Sequence, residues 1–191
     1  MIKIINMNVE DVRFPTSKDL TGSDAIHTDP DYSATYVTIT TSDNNLIGYG
    51  LAFTLGKGND IVAECIKHFF PLFNGLTIDE IEKNIGKLWY DCADHSQLRW
   101  LGPEKGVVHM ALAAIFNALW DLIAKKNEKP LWQFVVESKP ETIMSWLTFK
   151  NIEDVLTKDD AFKILTKNQE FKKERTSTIL NCFFFEIVFE K

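Results

Sequence analysis

Apolar and polar residues alternate with a period near two over the first third of the chain, then switch to helical spacing after Gly58. Lys3–Phe14 reads as a strand with imperfect alternation. Tyr32–Thr41 and Leu46–Thr54, rich in Val, Ile, Thr, Tyr and Phe, read as two more, and Ser42–Asn45 between them has turn chemistry. The pattern predicts a hairpin and a third strand. Pro15–Asp31, which joins the first two strands, has no periodicity and exceeds the usual loop of about 4 to 6 residues, a length typical of functional or disordered segments.

Helical spacing begins with DIVAECIKHFF and is expected to end near Pro71. Thr77 with Glu80 forms a capping-box signature for a second helix. Its apolar face runs through Ile78, Ile81, Ile85, Leu88, Trp89 and Cys92. The strongest helix starts at Pro103 and carries apolar residues at helical spacing from Val107 to Ile123, many of them alanines that allow close packing. Pro130 restarts the chain into a short LWQFVV segment, and Ile143–Phe149 reads as a further strand. Thr157, with Asp160 three residues on, opens a charged helix expected to reach about Glu174. The pattern then breaks into an apolar, β-prone run, Cys182–Phe185, which is an aggregation hazard if exposed. The elements predict an α+β class.

Composition narrows the partners. The 27 acids and 21 bases give a formal net charge of -6, so phosphate neutralisation is no general binding mode and nucleic acid is not an expected partner. No stretch reaches the roughly 18 unbroken apolar residues of a membrane span, so a membrane is not expected either. Three cysteines without a Cys-x-x-Cys pair fit reduced thiols better than a disulfide framework or a zinc ribbon. The start of the chain, with Glu10 and Asp11 after Lys3, matches neither a signal nor a typical transit peptide. A soluble intracellular protein is expected, in the cytoplasm by default, with the mitochondrion open.

Gly22–Tyr32 concentrates Asp24, His27, Asp29, Asp31 and a phenol in the long loop. Metal binding, substrate contact and plain turn structure all stay open for it, because Asp, His and Ser are ligands and also satisfy local backbone. TLGKG, Thr54–Gly58, carries a lysine in a glycine-rich turn but lacks P-loop spacing, so a tight strand-to-helix turn is the better reading. RWLGPEKG, Arg99–Gly106, offers free N–H groups at a helix start, or capping with Glu104 against the dipole. His68, His95 and His109 are scattered without ligand spacing. The residues alone therefore reach an α+β domain whose acidic loop is long enough to cover a small ligand, and no reaction.

ALAAIFNALWDLIAKKNEKPLWQFV, Ala111–Val135, resembles the signature helix ending the N-terminal capping domain of the mandelate racemase and muconate lactonising branch of the enolase superfamily, although Phe116 replaces the usual acidic or amide residue. VRFPTS (Val12–Ser17), GSDAIHTDPDYSATYV (Gly22–Val37), FTLGKG (Phe53–Gly58) and QLRWLGPEKGVVH (Gln97–His109) together resemble the L-fuconate dehydratases. The resemblance implies a three-stranded antiparallel meander followed by a helical bundle, capping a modified β/α barrel. It implies a reaction in which a proton alpha to a sugar-acid carboxylate is removed and the neighbouring hydroxyl leaves as water. Mg²⁺ on the carboxylate spreads the charge of the enediolate, and a lysine or histidine is the base. It also implies that Gly22, Ser23, Asp24 and Tyr32 contact a substrate such as L-fuconate.

A β/α barrel typically needs about 250 residues, and 61 follow Pro130. The resemblance therefore divides the chain into a capping domain over 1–136, a first barrel strand and inserted helix over 137–175 as the incomplete start of a barrel, and a divergent end over 176–191. The family's base and metal carboxylates belong to later strands and have no match here. Neither catalytic residues nor a metal ion are expected in this chain alone. Substrate would bind only with a complete barrel, and a second copy or the full-length enzyme remain candidate partners of a noncatalytic protein.

Overall fold

In the computed structural model, which describes residues 1–102, 106–150 and 152–179, the alternating segments form β1 (Ile4–Arg13), β2 (Ser33–Thr41) and β3 (Ile47–Thr54). They pair antiparallel in the order β1-β2-β3. The imperfect alternation near the start of the chain has a cause: the β1–β2 register shifts between Ile4 and Asn6, a bulge that displaces one side chain from the period. On β2 the odd positions Ser33, Thr35, Val37, Ile39 and Thr41 are all buried, while Tyr36 is exposed. The core face thus carries three hydroxyls beside its apolar residues.

Helices α1 (Asn59–Phe69), α2 (Ile78–Ala93) and α3 (Val107–Lys126) follow the sheet. Pro71 sits in a short 3-10 turn, Phe70–Leu72, directly after α1. The expected capping box opens α2: Thr77 Oγ1 accepts the Glu80 N–H, and the Glu80 carboxylate accepts the Thr77 N–H at 2.8 Å. Gly106 is the N-cap of α3, and Pro103, Glu104 and Lys105 lie outside the described residues. By length and composition alone α3 could cross a membrane. Here it is the core helix, packed against β3, α1 and α2, with Leu112, Ile115, Leu119 and Leu122 fully buried. Each such side chain contributes roughly 1.5–3 kcal/mol.

The approach of α3 to the sheet requires glycine. A Cβ on Gly50 would lie 2.1 Å from the Ala114 carbonyl oxygen, and one on Gly48 would lie 2.4 Å from that of Ala118. Across this contact Asp121 accepts the Tyr49 N–H at 2.8 Å, and Lys125 donates to the Ile47 carbonyl at 2.8 Å. These side chains occupy backbone groups of the outer strand that would otherwise be free to pair. Phe116 is buried against Phe73 and Trp89, with ring centroids 5.9 and 5.1 Å away.

The chain divides into two compact units between Lys129 and Pro130. The second contains α4 (Leu131–Glu137), α5 (Pro140–Trp146) and α6 (Lys158–Asn168). The strand expected over Ile143–Phe149 as the start of a barrel is instead mostly α5. Pro140 and Glu141 suit a first helical turn, and no strand after Thr54 occurs among the described residues. Without a ladder partner, a helix satisfies this backbone internally, as Ile143 N–H does on the Lys139 carbonyl at 3.0 Å. The Trp146 ring stacks on Phe134, centroids 6.0 Å apart.

Thr157 caps α6 as expected, accepting the Asp160 N–H at 3.2 Å. The helix breaks after Asn168, and 172–179 is helical again. The change of composition at Arg175 is therefore no structural boundary: residues 176–179 of the divergent end continue the helix. Residues 180–191, including Cys182–Phe185, lie outside the described residues.

Candidate functional site

The long loop leaves β1 at Arg13 and returns at Ser33, and its two mouths are tied together. Phe14 N–H donates to the Tyr32 carbonyl at 2.8 Å, Thr16 Oγ1 donates to the Pro30 carbonyl at 2.7 Å, and Tyr32 N–H donates to Thr16 Oγ1 at 3.0 Å. Asp31 accepts both the backbone N–H and the hydroxyl of Ser17, at 3.1 and 2.6 Å. Those bonds hold its carboxyl below the ordinary carboxylate range. Between these anchors, residues 18–29 are exposed throughout.

Two of the four candidate substrate residues meet. Tyr32 Oη donates to the Gly22 carbonyl at 3.4 Å. Gly22 has φ +76, and a Cβ there would lie 2.1 Å from that phenol oxygen, so in this loop geometry both the backbone and the ring favour glycine. Asp24 folds onto its own turn: its Oδ1 accepts the N–H groups of His27 at 2.6 Å and Ile26 at 2.8 Å, and His27 Nδ1 lies 3.2 Å from Oδ2. The backbone N–H of His27, then that of Ile26, hold the carboxyl down at about 2. An acid so low stays ionised and offers only acceptor oxygens, suited to hydroxyl donors and unsuited to proton transfer near neutrality. Ser23 is exposed and its N–H donates to the Leu20 carbonyl at 3.1 Å.

The 54–58 turn lies against this loop. The Phe53 and Tyr32 rings meet edge to face with centroids 5.6 Å apart, and a Cβ on Gly56 would stand 3.0 Å from that of Asp31. The Gly56 N–H is committed to Ser33 Oγ at 2.7 Å, which leaves it unavailable to a phosphate. Lys57 is exposed. On the far side of the turn, a groove of about 480 Å³ runs between Phe53, Leu55, Lys57, Ile61, Val107 and Met110.

Beneath the turn lies a buried polar cluster that sequence reasoning missed. Asn59, the first residue of α1, is fully buried. Its Oδ1 accepts from Thr35 Oγ1 at 2.5 Å and Thr54 Oγ1 at 2.8 Å, and its Nδ2 donates to Asp11 at 2.5 Å and to the Ala34 carbonyl at 3.3 Å. Asp11 in turn holds Arg13 through two-pronged contacts of 2.7 to 3.2 Å. The bond from Arg13, aided by that from Asn59, holds the Asp11 carboxyl below its ordinary value. A signal was available: Ser33, Thr35 and Thr41 share the period-two face of Val37 and Ile39, so their hydroxyls require buried partners.

The other candidates stay apart. His109 packs edge to face on Trp89 at 5.9 Å, His68 lies against Phe69, and His95 Nδ1 accepts the Gln97 N–H at 3.3 Å. Burial raises the thiols of Cys65 and Cys92, the latter to about 12, which disfavours the thiolate form that a nucleophile needs. Gly102 packs on Gly106, and the intervening Glu104 lies outside the described residues. Among the described residues no three His, Cys, Asp or Glu side chains converge to hold a metal. The described residues therefore do not fit a magnesium site.

Comparison with known proteins decides the family. Residues 18–135, more than half of the chain, match the mandelate racemase / muconate lactonizing enzyme N-terminal domain. The chain belongs to that family. Its three-stranded antiparallel sheet followed by helices is the capping-domain fold of the enolase superfamily. The bovine (Bos taurus) protein named Mitochondrial enolase superfamily member 1 is 45% identical over 179 residues, covering 93% of this chain and 40% of its own length. The crystal structure of the human protein of that name superposes with a TM-score of 0.89 at 44% identity, over 94% of this chain and 41% of that one. L-galactonate dehydratase of Hypocrea jecorina is 41% identical over 179 residues, 94% of this chain and 40% of its own. A racemase from Streptomyces coelicolor A3(2), solved with bound magnesium, aligns at 26% identity with a TM-score of 0.59, over 72% of this chain and 36% of that one. This capping domain and the residues after it thus span about two fifths of the length of the relatives they match.

Proposed function

We propose that the chain is the N-terminal capping part of a magnesium-dependent sugar-acid dehydratase, that its substrate is L-fuconate or a close stereochemical relative, and that Gly22, Ser23, Asp24 and Tyr32 meet that substrate. The observation that carries this reading is the joined pair of loops, Tyr32 on Phe53 and Gly56 on Asp31. It sits in a chain 41% identical to a protein named L-galactonate dehydratase. The ionised Asp24 supplies acceptor oxygens for sugar hydroxyls, and the Tyr32 phenol, whose proton goes to the Gly22 carbonyl, adds a further acceptor at the mouth of the loop. Closing such loops over a substrate excludes water from the reacting centre.

In this reading the base, the metal carboxylates and the metal come from the barrel of a full-length protein. The chain alone is expected to form no 2-keto acid from L-fuconate and Mg²⁺, and turnover near 1 s⁻¹ or faster overturns that. The substrate assignment is tested in a chimera carrying residues 1–135 of this chain on the remainder of the human relative. Dehydration of L-fuconate is expected, with KM raised about tenfold by Asp24→Asn, the loss of roughly one charge-assisted hydrogen bond. A folded chimera indifferent to sugar acids rejects the reading.

A noncatalytic interaction role is the second reading. It is favoured by the outward stripe of β3, where Tyr49, Leu51 and Phe53 are all exposed. Trp132, Phe134, Trp146 and Phe149 do not add to it, because Phe149 is buried and the other three are half-buried. Size-exclusion chromatography that gives a monodisperse monomer, with no association to the full-length relative, removes this second reading.

A further inference from the structure

Asn59 uses all the hydrogen-bonding capacity of its side chain, two acceptor sites and two donors, on partners in three different strands. Asp11 lies two residues before the long loop leaves β1 at Arg13, and Ala34 and Thr35 lie just after it enters β2. Thr54 is the last residue of β3 and the first of the glycine turn. One buried amide therefore touches both mouths of the long loop and the root of the short turn.

The hydroxyls have a forced direction. Thr54 Oγ1 gives its only proton to Asn59 Oδ1, so in the 2.6 Å contact between Ser33 and Thr54 the donor is Ser33. Ser33 Oγ keeps its lone pairs for the Gly56 N–H, 2.7 Å away. The run Gly56 N–H, Ser33, Thr54, Asn59 is then a one-way chain from the turn into the head of α1. Ser33 follows Tyr32, whose ring packs on Phe53 and whose phenol reaches Gly22. Thr35 bonds the same amide oxygen but stands outside this chain.

We propose that Asn59 is a positioning residue that locks the 15–31 loop and the 54–58 turn into one geometry, so that the two loops order and loosen together. The claim rests on the proposed function only in treating both loops as ligand-facing. Its test uses the chain without any ligand, so its failure is distinct from failure of the substrate assignment.

Three variants of the whole chain separate this role from general stabilisation, read by amide hydrogen exchange and by contacts between the Tyr32 and Phe53 rings in NMR spectra. Asn59→Ala and Thr54→Val are each expected to speed exchange of the Gly56 N–H about tenfold or more beyond any change at the α3 amides, and to weaken the Tyr32–Phe53 contact. Thr35→Val removes a bond of the same kind from the same oxygen, yet is expected to change Gly56 exchange by no more than about twofold. If Asn59→Ala does not fold, the contrast of Thr54→Val with Thr35→Val decides. The proposal is overturned if Gly56 and the ring contact are unchanged in Thr54→Val, if they loosen only in step with α3, or if Thr35→Val frees Gly56 equally.

Discussion

The two loops that flank the sheet reach order by opposite means. The 54–58 turn is short, and its Gly56 N–H, Thr54 hydroxyl and neighbouring Asn59 are sealed beneath it with Ser33 and Thr35, all less than a tenth exposed, while Asp11 closes the cluster at the surface. The 15–31 loop is long and exposed from Lys18 to Asp29, and it orders itself by small local rings: Asp24 on Ile26 and His27, Tyr32 on Gly22, Asp31 on Ser17. Buried polar clusters are costly to disturb because a lost partner leaves a desolvated group unpaired. Exposed rings are cheap to open, since water replaces the lost partner. The short turn therefore belongs to the stability of the whole domain, and the long loop is locked to it at its two mouths while its exposed stretch between them is free to respond to what it meets.

Breaking the buried side should show in global unfolding. Asn59→Ala takes the amide partner from the buried Thr54 hydroxyl and the Ala34 carbonyl and leaves Thr35 only the backbone carbonyl of residue 59, and it is expected to cost about 2–4 kcal/mol in a denaturant titration. Ser33→Ala removes one link, leaving the Gly56 N–H and Thr54 Oγ1 each short of a partner, and should cost about 1–2 kcal/mol. If both titrate like the parent chain, the buried cluster is not what holds the turn and the contrast between the loops dissolves.

The same contrast explains what could be read from the sequence. The three strands, the Thr77–Glu80 box and the apolar register of α3 follow from periods and caps that local chemistry dictates, and they appear where expected. Gly22 and Tyr32 were singled out, and they touch. The Asn59 cluster was not, because its partners lie 5 to 48 residues from it in the chain and only sheet register brings Asp11, Thr35 and Thr54 to one point. Ile143–Phe149 misled for the complementary reason. Its β-prone composition needs neighbouring strands to be realised, and among the described residues none pairs with it.

On the exposed side the effects are smaller and local. Gly22→Val would drive a side chain into the Tyr32 phenol and impose an unfavourable positive φ. It is expected to cost at most about 1 kcal/mol globally, because the loop can move away into water. It should nevertheless abolish NMR contacts between Tyr32 and Gly22. A loss as large as that from Asn59→Ala would mean the long loop is as integral to the fold as the turn.

The smallest effect is the most specific. The Asp24 carboxyl sits at about 2 in the folded loop, against an ordinary value of 3.8, because the folded turn supplies two N–H donors to its charged form. A group lowered on folding adds order that is fully present above its ordinary value and is lost as the pH falls through the folded value. Protection of the His27 and Ile26 amides should therefore hold from neutrality down to about pH 4 and decline between about 4 and 2, while α3 amides show no matching step. Asp24→Asn removes the titrating charge but keeps an acceptor oxygen, so it should weaken protection at neutral pH and flatten that acid limb, leaving the unfolding midpoint unchanged. If the acid limb persists in Asp24→Asn, another carboxylate governs the loop, and Asp31, bound to Ser17 at its far mouth, is the group to replace next.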